Sequence, residues 1–164
     1  VLVLLSECSD QVVNQTWSVI SPNGNLGVDI TSDQKTGQLF YSAFLVSAAD
    51  TITLVDRSIL GIELENQSFT TRLSFVESAT EVWSTSYTVP AGKRCSNTAT
   101  ANQLKLTFTN ANRNSIHIIF RVFDDGVAFQ YVFPDVSEKV TVVKESTQFN
   151  LASGGKAWMQ PYDT

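Results

Sequence analysis

The sequence predicts an all-β protein, folded as a sandwich of mainly antiparallel strands. Runs rich in Val, Ile, Thr and Phe recur between clusters of Gly, Asn, Asp and Ser, a pattern typical of short strands joined by turns. Residues 115–134 add a hairpin signal, because Asp125-Gly126 separates two apolar, aromatic and β-branched runs. The chain has 164 residues, of which 43% are hydrophobic, so one domain with a substantial core is expected.

Strands follow one another along most of the chain. The pattern predicts strands over residues 16–20, 26–30, 38–46, 51–55, 58–65, 69–76, 103–109, 140–143 and 147–151, and two more within the hairpin of residues 115–134. Segments 21–24 and 33–37 have turn chemistry, since they combine Gly with Pro, Asn or Asp. Residues 78–101 are poor in core residues and predict an exposed loop or a long irregular hairpin.

The central hairpin allows specific pairings to be predicted. If Asp125-Gly126 forms the turn, Phe120 lies opposite Tyr131 on an apolar face. The other face is also mostly apolar, which predicts a position inside stacked sheets. Arg121 is then expected to be substantially buried and held by a carboxylate or by backbone carbonyls, because an unpaired buried guanidinium is costly.

Charge and the N-terminal segment bear on partners and location. The net charge is −5 and no Lys/Arg cluster is present, which argues against a nucleic-acid partner. The apolar run over residues 1–5 is too short to span a bilayer. Residues 1–14 are interpreted as an N-terminal tail or a remnant of an export signal, with lipid attachment at Cys8 or an ordinary first strand as alternatives. Residues 15–164 are interpreted as the sandwich domain.

Few residues offer catalytic chemistry. Cys8 and Cys95 are interpreted as unrelated thiols, and with the single His117 they cannot build a metal site. His117 lies between two isoleucines and is predicted to be structural rather than an acid or base. Asp124 and Asp125 are adjacent, so they cannot flank a scissile glycosidic bond and are assigned, with Gly126, to the turn.

Aromatic side chains are the candidate contact residues. Trp17 lies in an alternating strand, which favours a core position. Trp83, Tyr87, Trp158 and Tyr162 are the candidates for contact with carbohydrate or a neighbouring domain, and packing in the core is the alternative for Trp83, Trp158 and Tyr162.

The hairpin segment FRVFDDGVAFQYVFP, residues 120–134, resembles the N-terminal domain of glycoside hydrolase family 97. An Arg-aromatic-Asp-Asp-Gly-Val-Ala run recurs in that domain. The resemblance extends over residues 18–162 and includes Ser21-Pro22-Asn23-Gly24, Leu60-Gly61-Ile62, Gly92-Lys93, and residues 145–149 and 158–162. Gln130 departs from the pattern, since the family usually has a second arginine at that position.

The resemblance implies a mutarotase-like supersandwich, of which this chain is expected to be the first part. In that family the domain precedes a (β/α)8 barrel that holds the catalytic carboxylates and most of the calcium ligands. The family implies a secreted or periplasmic enzyme that hydrolyses α-glucosides or α-galactosides, with the barrel and an oligosaccharide as partners. The chain alone is expected to be catalytically silent and to hold no cofactor. Its nearest residue to a calcium ligand, Asp163, is of the wrong type.

Two other functions fit the sequence. One is a stand-alone carbohydrate-binding module that uses Trp83 or Trp158. The other is a structural or adhesion sandwich without a ligand.

Overall fold

The computed structural model describes residues 14–47, 50–90, 95–137 and 139–158. Every regular element in these ranges is a strand, which confirms the all-β prediction. The strands are β1 (Gln15–Ile20), β2 (Leu26–Ser32), β3 (Leu39–Val46), β4 (Thr51–Leu60), β5 (Ile62–Leu64), β6 (Gln67–Phe69), β7 (Ser74–Thr88), β8 (Ser96–Thr109), β9 (Ser115–Val122), β10 (Val127–Val132), β11 (Val142–Glu145) and β12 (Asn150–Leu151).

The described strands form three antiparallel sheets. The first sheet has the order β1-β2-β3-β4-β12, and the second sheet has the order β10-β9-β8-β7. A small third sheet has the order β11-β5-β6. Most neighbouring strands are also consecutive in sequence, which is the connection expected of antiparallel hairpins.

The core lies between the first and second sheets. Along β9, residues with even numbers are buried and those with odd numbers are partly exposed, so one face of the strand points inward. Phe120 on β9 is fully buried, and its ring centroid lies 5.9 Å from that of Tyr41 on β3. Trp17 was predicted to lie in the core; it is partly buried and packs against the core, with its ring edge-on to Phe108 at 5.5 Å. This packing of two sheets face to face confirms the sandwich.

The pairing predicted for the central hairpin is wrong by two residues. Phe120 lies opposite Phe129, not Tyr131. The turn is centred on Asp124-Asp125, and the N–H of Phe123 donates to the carbonyl of Gly126 at 2.8 Å. Neither the two aspartates nor Gly126 has a positive φ, so the turn does not use the conformation for which Asp-Gly is favoured. Because the shift is an even number, each side chain keeps its predicted face.

The segment predicted to be a loop or an irregular hairpin is a regular antiparallel ladder. Strands β7 and β8 pair without interruption from Ser78–Leu106 to Thr88–Ser96, and one register shift occurs earlier, near Phe75. β7 is rich in Ser and Thr, and most of it is exposed, whereas the second half of β8 supplies Leu104, Leu106 and Phe108 to the core. A low apolar content therefore indicated exposure correctly but not irregularity.

The inner face of the first sheet extends beyond the second sheet. Leu45 and Ile52 are paired on that face and are 37% and 53% exposed. Phe149 and Leu151, next to the β12 edge, are 61% and 49% exposed. We call these four residues the open end of the inner face. β10 is the edge of the second sheet on this side, where the ring centroids of Phe129 and Phe149 lie 6.2 Å apart.

Candidate functional site

Trp83 lies on the outer face of the second sheet and is enclosed by protein groups. The guanidinium carbon of Arg121 is 4.2 Å from the centroid of its ring. The ring of Phe123 meets it edge-on at 6.0 Å. Its partner across the ladder, Ala101, is fully buried. The indole is therefore engaged in packing and in a cation–π contact, and it is not a free stacking platform.

Arg121 is only half-buried, and its partner differs from the prediction. Its Nε donates to Oε1 of Gln103 at 2.7 Å, and the amide nitrogen of Gln103 donates to a carboxylate oxygen of Glu81. The three side chains occupy one row across β9, β8 and β7. The prediction of a carboxylate or backbone partner was wrong because this face of the sheet is not covered by another layer. The neutral amide of Gln103 instead lies between the guanidinium of Arg121 and the exposed carboxylate of Glu81 and is hydrogen-bonded to both.

The turn between β9 and β10 in the second sheet is hydrogen-bonded to the turn between β1 and β2 in the first sheet. Oδ1 of Asp124 accepts a hydrogen bond at 2.9 Å from the backbone N–H of Asn23, which lies in the turn between β1 and β2. Asp125 is exposed beside it. The two adjacent carboxylates thus have separate environments, and Asp124 connects the two turns. The structural role predicted for Asp124 rests on this contact.

The other candidate aromatics are dispersed. Tyr87 follows Trp83 by four residues on β7 and is 51% exposed. Trp158 follows β12 near the C-terminal end of the described chain and is 89% exposed. Tyr162 lies outside the described residues. No ring contact joins Trp83, Tyr87 and Trp158 within the ranges that the structure describes.

His117 is hydrogen-bonded on the outer face of the second sheet. Its Nδ1 lies 3.0 Å from Oγ1 of Thr107, directly across the ladder. Partial burial and the nearby Lys105 lower the pKa of the imidazole from its usual value of 6.5. Both effects disfavour the charged form. Cys95 is an exposed free thiol, and Cys8 lies outside the described residues.

A tyrosine contact that the sequence analysis missed ties the small sheet to the second sheet. The hydroxyl of Tyr131 accepts from the N–H of Gly61 at 3.1 Å and is hydrogen-bonded to Oγ1 of Thr147 at 2.8 Å. Burial raises the pKa of Tyr131 to about 12. Its inward position on β10 was the available signal, since a buried tyrosine hydroxyl needs a partner.

Calcium has no evident place among the described residues. No three His, Cys, Asp or Glu side chains of these ranges lie close enough to hold a metal ion, and Asp163 is outside them. Within the same ranges, no helix is long and apolar enough to span a membrane.

Comparison with known proteins decides the family. The model of the glycosyl-hydrolase 97 N-terminal family matches residues 19–164. This chain belongs to that family. The resemblance drawn from the hairpin segment is therefore confirmed, and so is the fold that it implied.

Relatives of this family 97 N-terminal chain are several times longer. It is 28% identical over 151 residues to a probable retaining α-galactosidase from Streptomyces bingchenggensis strain BCW-1, covering 91% of this chain and 23% of that protein. A family 97 glycoside hydrolase from Pseudoalteromonas sp. strain K8, solved in complex with panose, matches 84% of this chain and 20% of its own, with 25% identity and a TM-score of 0.69. A β-arabinopyranosidase structure matches with 27% identity and a TM-score of 0.73, covering 84% of this chain and 22% of its own.

Proposed function

We propose that this chain is the non-catalytic N-terminal β-sandwich of a secreted α-glycoside hydrolase, where it packs on a (β/α)8 catalytic barrel and helps to shape its active site. The observation that carries the proposal is the open end of the inner face, formed by Leu45, Ile52, Phe149 and Leu151. These residues continue the core of a stacked-sheet domain, yet they face solvent. Contiguous apolar surface of this kind is typical of a site that another part of a protein covers.

The position of Trp158 supports the same interpretation. It follows β12, which is the edge strand of the first sheet, and it is 89% exposed. Indole rings are among the side chains most enriched at protein interfaces. Trp158 therefore adds a large exposed aromatic ring to the segment that follows β12. We propose that it contacts the covering domain.

The relatives support the substrate class. Their names describe an α-galactosidase and a β-arabinopyranosidase, and one structure holds panose. We propose an α-glucoside or an α-galactoside as the substrate of the whole enzyme. The barrel would supply the catalytic carboxylates and most of the calcium ligands, as the family resemblance implies.

Cysteine labelling tests whether the open end is covered. Ile52→Cys and Leu151→Cys are introduced separately after Cys8→Ser and Cys95→Ser, once in residues 1–164 and once in the polypeptide that also carries the barrel. Both cysteines should react rapidly in the isolated chain and slowly in the longer polypeptide. Val82→Cys is the matched control, because Val82 is 72% exposed on β7, away from the open end. It should react rapidly in both, and equal rates at Ile52 and Leu151 in both contexts would contradict the proposal.

A further inference from the structure

A cleft of about 520 Å³ lies on the outer face of the first sheet, opposite the core. Strands β2, β3 and β4 form its floor. Its lining includes Asp29, Ser42, Phe44, Asp56 and Arg57. None of these side chains belongs to the open end of the inner face or to the cluster around Trp83. The cleft is therefore a separate feature of the domain.

Two register shifts in β4 form one wall of the cleft. Tyr41 pairs with Ser58 and Ala43 pairs with Val55, so Ser42 faces both Asp56 and Arg57. A second shift follows immediately, between Ala43 and Phe44. Bulges re-aim side chains and are found next to functional sites more often than elsewhere in sheets. Here they place a carboxylate and a guanidinium beside the same serine.

Two phenylalanines of β3 flank this polar row. Phe44 reaches over Gly27 of β2, where an added Cβ would lie 2.5 Å from its Cζ, so only glycine leaves room for the ring. Phe40 lies four residues away on the same face, and the guanidinium carbon of Arg57 is 3.5 Å from the centroid of its ring. The cation–π contact orients Arg57, and glycine fixes the place of Phe44.

Asp29 and Arg57 are held in place, and Arg57 also interacts electrostatically with Asp33, which is not among the residues that line the cleft. Oδ1 of Asp29 accepts from the hydroxyl of Ser18 at 2.6 Å, which fixes the carboxylate at the cleft. Among the described residues, the one ion pair is between Lys144 and Glu63 at 3.9 Å. Asp29, Asp56 and Arg57 therefore form no ion pair within that part of the chain. The cleft thus offers both strong acceptors and strong donors beside an aromatic ring.

We propose that this cleft binds a pyranose unit of an α-linked oligosaccharide, outside any catalytic centre. A sugar hydroxyl donates to a carboxylate and accepts from a guanidinium, which matches Asp29, Asp56 and Arg57. The apolar C–H face of the ring matches Phe44. Mixed charges of both signs favour a neutral polar ligand over an anion or a cation. The choice of an α-linked sugar rests on the proposed function, whereas the choice of a neutral carbohydrate rests on the cleft itself.

Titration of the purified protein with maltotriose and with methyl α-galactoside, followed by ¹H–¹⁵N NMR, tests the site. The amides of β2, β3 and β4 that border the cleft should shift with at least one of the two sugars. Asp56→Asn and Arg57→Gln should each weaken binding about tenfold, the loss of roughly one charge-assisted hydrogen bond. Asp125→Asn and Arg113→Gln, which change exposed residues elsewhere, should leave the affinity unchanged.

The outcome can contradict the proposal even if a variant is unstable. Phe44→Leu tests the ring, and thermal unfolding of each variant shows whether it has folded. Absence of shifts with both sugars in the wild-type protein would overturn the site, as would shifts confined to the surroundings of Tyr87 or Trp158. The site would also be overturned if Asp56→Asn and Arg57→Gln bound the sugar as tightly as the control variants Asp125→Asn and Arg113→Gln. The covered-interface proposal is unaffected by these results, because its test is the labelling of Ile52 and Leu151.

Discussion

Strands β9 and β7 belong to the same sheet but have opposite surroundings. β9 pairs on both sides, and its inward residues Ile116, Ile118, Phe120 and Val122 are at most 1% exposed. β7 is an edge strand and is exposed along nearly all of its length. Both form regular ladders all the same. Burial therefore decides how much a residue of this sheet contributes to stability, while local β-propensity and pairing are enough to keep the ladder regular.

Truncation of a core ring on β9 should produce the largest effect. Phe120 is fully buried between Tyr41 and Phe129. Phe120→Ala should lower the free energy of unfolding by about 3–5 kcal/mol, through lost burial and the cavity left behind. Val82→Ala on β7 should change it by less than about 0.5 kcal/mol, since Val82 is exposed to solvent. Urea denaturation measures both, and similar losses would refute the contrast between the strands.

The turn after β9 should show a smaller, specific effect. Asp124→Ala removes the acceptor for the N–H of Asn23 and should cost about 1 kcal/mol. Asp125→Ala is the matched control, because Asp125 is exposed on the same turn. It should be close to neutral in the same denaturation experiment. A larger loss for Asp125 would show that the connection between the two turns is assigned to the wrong carboxylate.

The contact between β7 and β9 outside the core can be measured by a double-mutant cycle. Arg121→Met, Trp83→Leu and the double variant should give a coupling energy of about 0.5–1 kcal/mol, as expected for a partly exposed cation–π pair. Arg121→Met alone should cost less than the roughly 3–5 kcal/mol expected for a fully buried charge pair. A coupling of zero would mean that the two side chains are adjacent without interacting.

The smallest expected effect is a pH dependence from the outer face of β9. His117 is the only histidine, and its pKa in the folded protein is lowered. The unfolded chain then binds the proton at higher pH, so stability is full above about 6.5 and declines as the pH falls from there to the lower folded value. His117→Gln should flatten this part of the profile of midpoint denaturant concentration against pH. An unchanged slope would show that another group is responsible.

The same contrast explains what could be predicted from the sequence. The alternation of apolar and polar residues correctly predicted the sandwich, the buried face of β9 and the packing of Trp17 against the core. The register of the β9–β10 hairpin could not be predicted from Asp-Gly alone, because Asp124 is held by Asn23, about a hundred residues away in sequence.

Two further features depend on neighbours that are distant in the chain. The half-exposed state of Arg121 depends on which face of the second sheet is covered. The cleft beside Phe44 depends on register shifts in β4, which local patterns do not reveal.

The most direct test of the account is whether residues 1–164 catalyse anything alone. The purified chain is incubated with 4-nitrophenyl α-glucoside and α-galactoside, with and without calcium, beside the polypeptide that also carries the barrel. We expect turnover by the longer polypeptide and none by the isolated chain. Hydrolysis that persists through further purification, at a rate stoichiometric with this chain, would place the chemistry in this domain and contradict the account.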